Sequence, residues 1–514
     1  MNKDHQAAEF TGRQQGRLFW TCFIALTASS FGFAIRALLI TEWGIEFNLS
    51  KTQMGEIMGV GLWPFAVSIV LFSLFIDRLG YGRAMVFALV CHLASVVITI
   101  TASGYEMLYL GTLVFALANG MVEAAINPIV ATLYKENKAK WLNILHAGWP
   151  GGMVVSGILA MALGPEVRWQ YKIALMLIPM LAYGLLMLGK RWPVQERIAA
   201  GVPFREMLGE VGILGALIII SLIVTEVGNF FGAPLWLKIT LIVLLVGWTG
   251  FYTRSAGRPL LILLLLIMFP LATTELGYDS WIVDLMSKEM SQIGLQAGWI
   301  LVYTAAIMTL FRFLAGPVLK IFSPIGLLIC ASAVAAISLF FLSLASGILI
   351  FLIVTFFGFA KAYLWPTMIG IAGERFPRGG ALTLNIITAV GMIGVGIVGA
   401  VFLGYVQDNL TDRQLLAHDR EHQTELHERY STGEQQSFFG KYRSIDNQTL
   451  KSAPDNDLKA VEEIQLHAKK SALKTVALLP VLMLLFFSGL ALYFRKKGGY
   501  SAISLDPSKP REDQ

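Results

Sequence analysis

Glu123 lies in the middle of an apolar stretch, with Asn119 and Asn127 four residues to either side. Residues spaced by four share one face of an α-helix. The three would present a carboxylate between two amides, a set able to exchange a proton and to hydrogen-bond a polar solute. Glu275 and Asp279 repeat the spacing in another apolar stretch, and Lys361 and Trp365 do so in a third. Two carboxylates confined together would tend to hold one proton between them. Arg36 stands within the first apolar stretch; it could position a carboxylate or an anionic solute, or neutralise Glu123. For Glu123 the competing role is a buried ion pair with Arg36 or Lys361. Asn143 and Asn385 could bind solute hydroxyls or only tie one helix to another. Trp63, Trp149, Trp299 and Trp365 offer flat faces that stack on the CH face of a sugar, and Trp365 is the best placed of them. His146 reads as a core histidine and Arg312 as a structural residue near a helix end.

The elements that carry these residues must cross a membrane. Of 514 residues, 56% are hydrophobic and 14% charged, and the mean hydropathy is +0.65, far from the balance of a water-soluble domain. Apolar runs recur at lengths suited to about 30 Å of hydrocarbon, and unalternating runs of that length are helices. Spans are expected near 18–41, 53–76, 84–102, 107–133, 142–163, 171–189, 210–228, 234–252, 260–283, 295–318, 324–344, 347–372, 381–404 and 475–494, about fourteen in all. An ionisable side chain at the centre of such a span costs about 2.5–3.5 kcal/mol on the lenient insertion scale, so each needs a partner or a function.

The net charge of +6 sits mostly in short connections: Arg78 and Arg83, Lys135 to Lys140, Lys190 to Arg197, Arg254 and Arg258, Arg375 and Arg378. Lys and Arg gather on the cytoplasmic side. This predicts a multi-pass protein of a cell membrane, most simply a bacterial inner membrane, with both termini cytoplasmic. Residues 1–17 and 495–514 form the tails, and residues 1–17 are too polar for a cleavable leader. Cys22, Cys91 and Cys330 lie in apolar runs and read as packing residues with no disulfide. The connection 405–474 is long, polar and acidic, and is expected outside as a solvated, partly helical loop. Its histidines lack metal-ligand spacing, so no metal and no cofactor are expected.

The chain is internally duplicated. Gly120, Glu123, Pro128 and Glu136 align without a gap on Gly358, Lys361, Pro366 and Glu374. Immediately downstream, Asn143, Ala147, Gly152 and Gly157 align on Asn385, Ala389, Gly394 and Gly399. Lys361 is thus the repeat mate of Glu123, and Asn385 that of Asn143. Glycines 148, 151, 152 and 157, and 391, 394, 396 and 399, would let helices pack closely. The expected layout is a first bundle over 18–189, a linker with two extra spans over 190–258, and a second bundle over 259–404 completed by 475–494 after the outer loop. Parallel six-helix repeats build a site at mid-membrane between two rocking halves.

Residues 73–83, SLFIDRLGYGR, resemble the loop between helices two and three of major facilitator superfamily transporters, with Ser73 where the family pattern has Gly. The resemblance implies an all-α membrane protein of the major facilitator fold, with two six-helix repeats plus an inserted helix pair. It gives Asp77, Arg78, Gly80 and Arg83 the role of a conformational charge lock. The stretch from Gly120 to Asn143, with Glu123, Ala125, Asn127-Pro128 and Asn143, is similar to the fucose and hexose proton symporter branch. That similarity implies sugar binding and proton coupling for Glu123. The branch's fucose carrier also has an acid in its first helix, where this chain has Arg36.

The function expected is secondary active transport of a small polar solute, a sugar by the resemblance, by proton-coupled symport. The alternative is an organic anion, a sugar acid or a phosphate, clamped by Arg36 and Lys361; the remote one is a non-transporting sensor or enzyme. Neither an HExxH pair nor a Ser/His/Asp set stands out, so an enzyme is not expected, and without a Walker A sequence an ion gradient rather than a nucleotide is the expected energy source. Expected partners are the solute, a proton and membrane lipid, and not nucleic acid.

Overall fold

The computed structural model describes residues 10–47, 49, 56–164, 166–279, 282, 286–296, 298–395, 400–437, 439–446, 449–450 and 452–505. The tails before residue 10 and after residue 505, together with Gly396 and Gly399, lie outside the described residues.

The first half comprises α1 (Gly12–Glu46), α2 (Trp63–Leu79), α3 (Tyr81–Ile100), α4 (Tyr105–Leu133), α5 (Lys138–His146), α6 (Gly148–Ala162), α7 (Trp169–Ala174) and α8 (Leu177–Met187). An inserted pair follows, α9 (Phe204–Phe230) and α10 (Leu235–Thr253). The second half comprises α11 (Pro259–Ala272), α12 (Gly298–Phe313), α13 (Ala315–Ile321), α14 (Pro324–Leu342), α15 (Leu349–Arg375) and α16 (Gly380–Gly394). It continues through α17 (Ala400–His422), α18 (Asp455–Val476) and α19 (Leu478–Lys496). Among the described residues twelve helices are long and apolar enough to cross a membrane, or thirteen if α12 and α13, bent by 63°, form one span. The span expected at 381–404 falls short of that test because residues 396–399 are not described.

Their surfaces fit lipid. Phe251 and Ile348 are 80% and 83% exposed, as large apolar side chains can be where the solvent is hydrocarbon. One continuous apolar core runs through both halves. Breaks in the helices have local causes. Gly80 turns α2 into α3 at φ 84°, a conformation that costs a residue with a Cβ more than it costs glycine. The α5–α6 break at Ala147 precedes Pro150 by three residues, and proline has no N–H for the next helical bond.

Of the glycines expected to pack, Gly152 is essential in space: a methyl there would lie 1.9 Å from Ser30 Oγ. Gly157 has nothing within 4 Å. The inserted pair is built asymmetrically. Helix α9 packs at its start on α11, with Gly215 against Ile262 and Leu265, and at its end on the first half, with Phe230 5.0 Å from Trp63 and 6.1 Å from Tyr109. Helix α10 lies outermost, with 11% of its apolar window buried.

The connection 405–474 is more ordered than a solvated loop. Helix α17 runs through its first part and α18 through its last, and an antiparallel pair, β1 (Gln435–Ser437) and β2 (Gly440–Tyr442), lies between. Leu415, Leu426, Tyr430, Leu450, Val461 and Ile464 give it a core of its own. His427 Nε2 pairs with Asp412 at 2.7 Å, and the rings of His418 and His422 stack at 4.2 Å. Asp419 ties the chain reversal by accepting from Thr424 Oγ1, Leu426 N and His427 N at 2.6–2.9 Å.

Partial burial raises the Asp419 pKa, but these hydrogen bonds outweigh it and hold the carboxyl below its usual range. A depressed folded pKa gives stability that is present above the unfolded value, about 3.9, and is lost as pH falls through the folded one. Amide hydrogen exchange over 412–430 is therefore expected to accelerate as pH falls below that window, after correction for intrinsic rates. Asp419→Ala should cost this subdomain about 1 kcal/mol at neutral pH and remove that dependence.

Candidate functional site

Helix α4 is the most buried of the spans, so its stripe of Asn119, Glu123 and Asn127 faces protein along its whole length. Glu123 is 3% exposed. Asn127 Nδ2 donates to Glu123 Oε1 at 3.1 Å, and His146 Nε2 lies 3.6 Å from the same oxygen. Among the described residues no Lys or Arg nitrogen comes within 4.0 Å of this carboxylate. The pairing of Glu123 with Arg36 or Lys361 does not occur.

Those cations are engaged elsewhere. Lys361, fully buried on α15, donates to Asp279 Oδ1 at 2.5 Å, with the rings of Tyr278 and Phe357 5.1 and 5.9 Å from its Nζ. Arg312 of α12 donates from Nη2 to Glu275 Oε1 at 2.9 Å. Glu275 stands in a π-helical turn, Thr273–Gly277, that follows Pro270 of α11. Glu275 and Asp279 thus hold a cation each instead of sharing a proton. Arg312, read from sequence as structural, is a centre of the buried polar network.

Polar bonds cross between the halves from mid-membrane toward the end that carries the basic connections. Asn127 Nδ2 donates to Asn385 Oδ1 at 3.2 Å, and Asn385 Nδ2 donates to Ser73 Oγ at 2.9 Å and Ala124 O at 3.0 Å. Asn143 Nδ2 donates to Thr367 Oγ1 at 3.2 Å; Lys138 Nζ to Gly373 O at 3.0 Å; and Ala139 N to Glu374 Oε1 at 3.2 Å. Gly370 lets α15 press on α5, since a methyl there would lie 2.9 Å from the Ala139 Cβ. The halves are clasped at the basic end. Beside that clasp Asp77 pairs with Arg197 of the linker, Arg78 lies over the Phe204 ring at 5.7 Å, and Arg83 is exposed.

Toward the opposite end a narrow cleft, with room for about one water molecule, opens among α1, α2, α4 and α6. Phe33, Arg36, Met58, Thr112, Phe115, Asn119 and Trp149 are among its walls. Arg36 is 2% exposed, lies over the Phe115 ring at 4.2 Å and donates to Ser95 Oγ at 2.7 Å and Thr99 Oγ1 at 3.3 Å. Its Nε has no partner, and among the described residues no carboxylate lies within 4.0 Å of it. His92 lies 2.9 Å from both Tyr183 Oη and Asn119 Oδ1. With the Asn119 oxygen on the ring, the amide nitrogen is left to the cleft. The cleft therefore offers donors and aromatic faces.

Trp149 is the tryptophan on this wall. Trp365 is instead packed on α16, where a methyl at Gly391 would lie 2.6 Å from its ring; Trp63 packs on Phe230, and Trp299 is exposed. The sequence reading passed over His92, Ser95 and Thr99. Their spacing of three and four on α3 puts them on one helical face, a signal that was present.

The family model of the Major Facilitator Superfamily matches residues 21–399. No curated protein matches the chain closely enough to count as a relative. Among solved structures, the Escherichia coli fucose:proton symporter FucP is 14% identical, with 91% of this chain and 98% of that one covered and a TM-score of 0.55. The proton:xylose symporter XylE is 13% identical, with 93% and 96% covered and a TM-score of 0.60. The human organic anion transporter MFSD10 is 11% identical, with 92% and 99% covered and a TM-score of 0.57. At these identities the likeness is one of fold.

The sorting of charges predicts unequal costs of neutralisation. Glu275→Gln leaves the Arg312 cation buried without its counter-charge and should cost about 3–5 kcal/mol. Glu123→Gln breaks no Lys or Arg ion pair within 4.0 Å, its attraction to Arg312 acting only from farther away, and should cost less than about 1.5 kcal/mol. Reversible unfolding in mixed detergent micelles measures both, and equal losses would refute the assignment.

Proposed function

The chain belongs to the major facilitator superfamily, and we propose that it is a secondary active symporter carrying a small sugar-class solute by alternating access, with Glu123 holding the coupled proton. The observation that carries this reading is the partner set of Glu123: an amide and an imidazole, in a network whose other acids are matched to Arg312 and Lys361. A buried carboxylate with a fixed cation gains little from a proton; one with neutral partners can take it and give it up.

The proton is linked to the halves through Asn127. The same amide nitrogen donates to Glu123 of the first half and to Asn385 of the second. Protonation weakens Glu123 as an acceptor and frees that amide to reorient, which loosens or tightens a bond across the interface. Asn119, Thr112 and the Trp149 face supply hydroxyl contacts and stacking for a solute in the cleft. Asn143 joins Asn385 as an interface residue, and Asp77, Arg78, Gly80 and Arg83 hold the closed basic end beside Arg197. The names fucose:proton and proton:xylose symporter, given to structures of the same fold, favour the sugar class. The basic connections favour placing the clasped end and both termini in the cytoplasm, here of a bacterial inner membrane.

A second reading, transport of an organic anion such as a sugar acid, is favoured by one observation. Arg36 is a buried cation on the cleft without a carboxylate partner. An acceptor-only group would complete its hydrogen bonding.

In liposomes of the pure protein under an imposed pH gradient, a neutral sugar should accumulate, and Glu123→Gln should reduce accumulation to the level of protein-free liposomes while sparing counterflow exchange. Intact accumulation in that variant would overturn the proton assignment. If a sugar acid is the substrate instead, neutral sugars fail and Arg36→Gln weakens its binding by roughly 10–100-fold, the worth of a charge-assisted hydrogen bond.

A further inference from the structure

We infer that Arg312 and Asn385 latch the two halves together by binding main-chain carbonyls that Pro150 and Pro128 release. In a membrane helix each carbonyl is already taken by the N–H four residues on, so a helix offers its neighbour few strong acceptors. Proline has no N–H and leaves the carbonyl four residues before it free. Pro150 frees the carbonyl of His146, Pro366 that of Ala362 and Pro128 that of Ala124. Each of these three atoms accepts from a polar side chain. Arg312 Nη1 donates to His146 O at 2.7 Å and Arg312 Nε to Ala362 O at 2.9 Å, while Asn385 Nδ2 donates to Ala124 O at 3.0 Å.

Two of the three bonds cross between the halves. Arg312 reaches from α12 to the end of α5, and Asn385 from α16 to α4. The third, to Ala362 O, stays within the second half and, with Glu275, keeps the guanidinium in place when the crossing bond breaks. Pro128 and Pro366 are repeat mates, so the duplication supplies one released carbonyl to each half, and Pro150 adds another to the first. Such a carbonyl suits a reversible contact, because once the basic end opens, water entering the cavity can take the place of the donor. The latch belongs to the state with the basic end closed. It requires arginine at 312: the planar fork serves three acceptors at once, while a lysine could keep Glu275 but not both carbonyls in this geometry.

The test is a double-mutant cycle read by electron spin distance measurements between labels at the exposed Leu188 and Lys320 positions, one on each half, in an otherwise cysteine-free protein. Pro150→Ala returns an N–H to the His146 carbonyl, and Arg312→Lys removes the donor. Each is expected to raise the fraction of molecules with a long label separation at least several-fold, and the two together no more than either alone, because both delete the same bond. Pro128→Ala is expected to act likewise on the Asn385 contact. Pro→Ala favours the helix, so these variants fold, and Arg312→Lys keeps the charge that Glu275 needs. An unchanged distance distribution in Pro150→Ala, or additive effects of Pro150→Ala and Arg312→Lys, would overturn the latch.

Discussion

The pairing of Glu275 with Arg312 and of Asp279 with Lys361 is the interaction on which the arrangement depends. Charges at mid-membrane are costly, and their number is tolerable only if most are matched. Matching two acids with two cations of the second half leaves one acid and one cation over, both in the first. Glu123 is held by Asn127 and His146, and Arg36 by serine and threonine hydroxyls and the Phe115 face. The unmatched pair does not meet. Each sits where an exchangeable species could complete it, a proton for one and a solute's acceptor atoms for the other.

The paired charges also organise the interface. Arg312 is oriented by Glu275, and that orientation aims its remaining donors at carbonyls on α5 and α15. Asn127, tied to Glu123, aims at Asn385. A change at Glu123 is therefore one hydrogen bond away from a contact that holds the halves together. In a two-state carrier this proximity is what coupling requires, because the proton must bind one access state better than the other.

Most of the fold was legible because lipid permits few solutions. Runs that long and apolar can only be helices, and the basic connections, the duplication and the inserted pair all follow from the order of residues. The count was less secure: α12 and α13 bend apart at Leu314, and helix length alone does not say whether a bent pair is one span. The connection 405–474 looked solvated because its composition is polar, but Leu415, Tyr430 and Val461 are enough to close a small core. At the site, the stripe on α4 was visible as a spacing of four. The partners were not. Which of Arg36, Arg312 and Lys361 would meet which acid depends on how helices far apart in sequence pack, and no spacing records that. Trp149 and Trp365 were equivalent as letters, and only packing against Gly391 takes Trp365 away from the cleft. Ser73 departs from the family pattern, and its hydroxyl receives Asn385.

The central claim is that, among the buried carboxyls at mid-membrane, Glu123 is the one that exchanges a proton. Infrared difference spectroscopy of the pure protein between acid and alkaline buffer measures it, through the carbonyl stretch that only a protonated carboxyl shows. The account predicts one such band from a buried group, absent in Glu123→Gln and retained in Asp279→Asn. A band that survives Glu123→Gln and disappears in Asp279→Asn would contradict it.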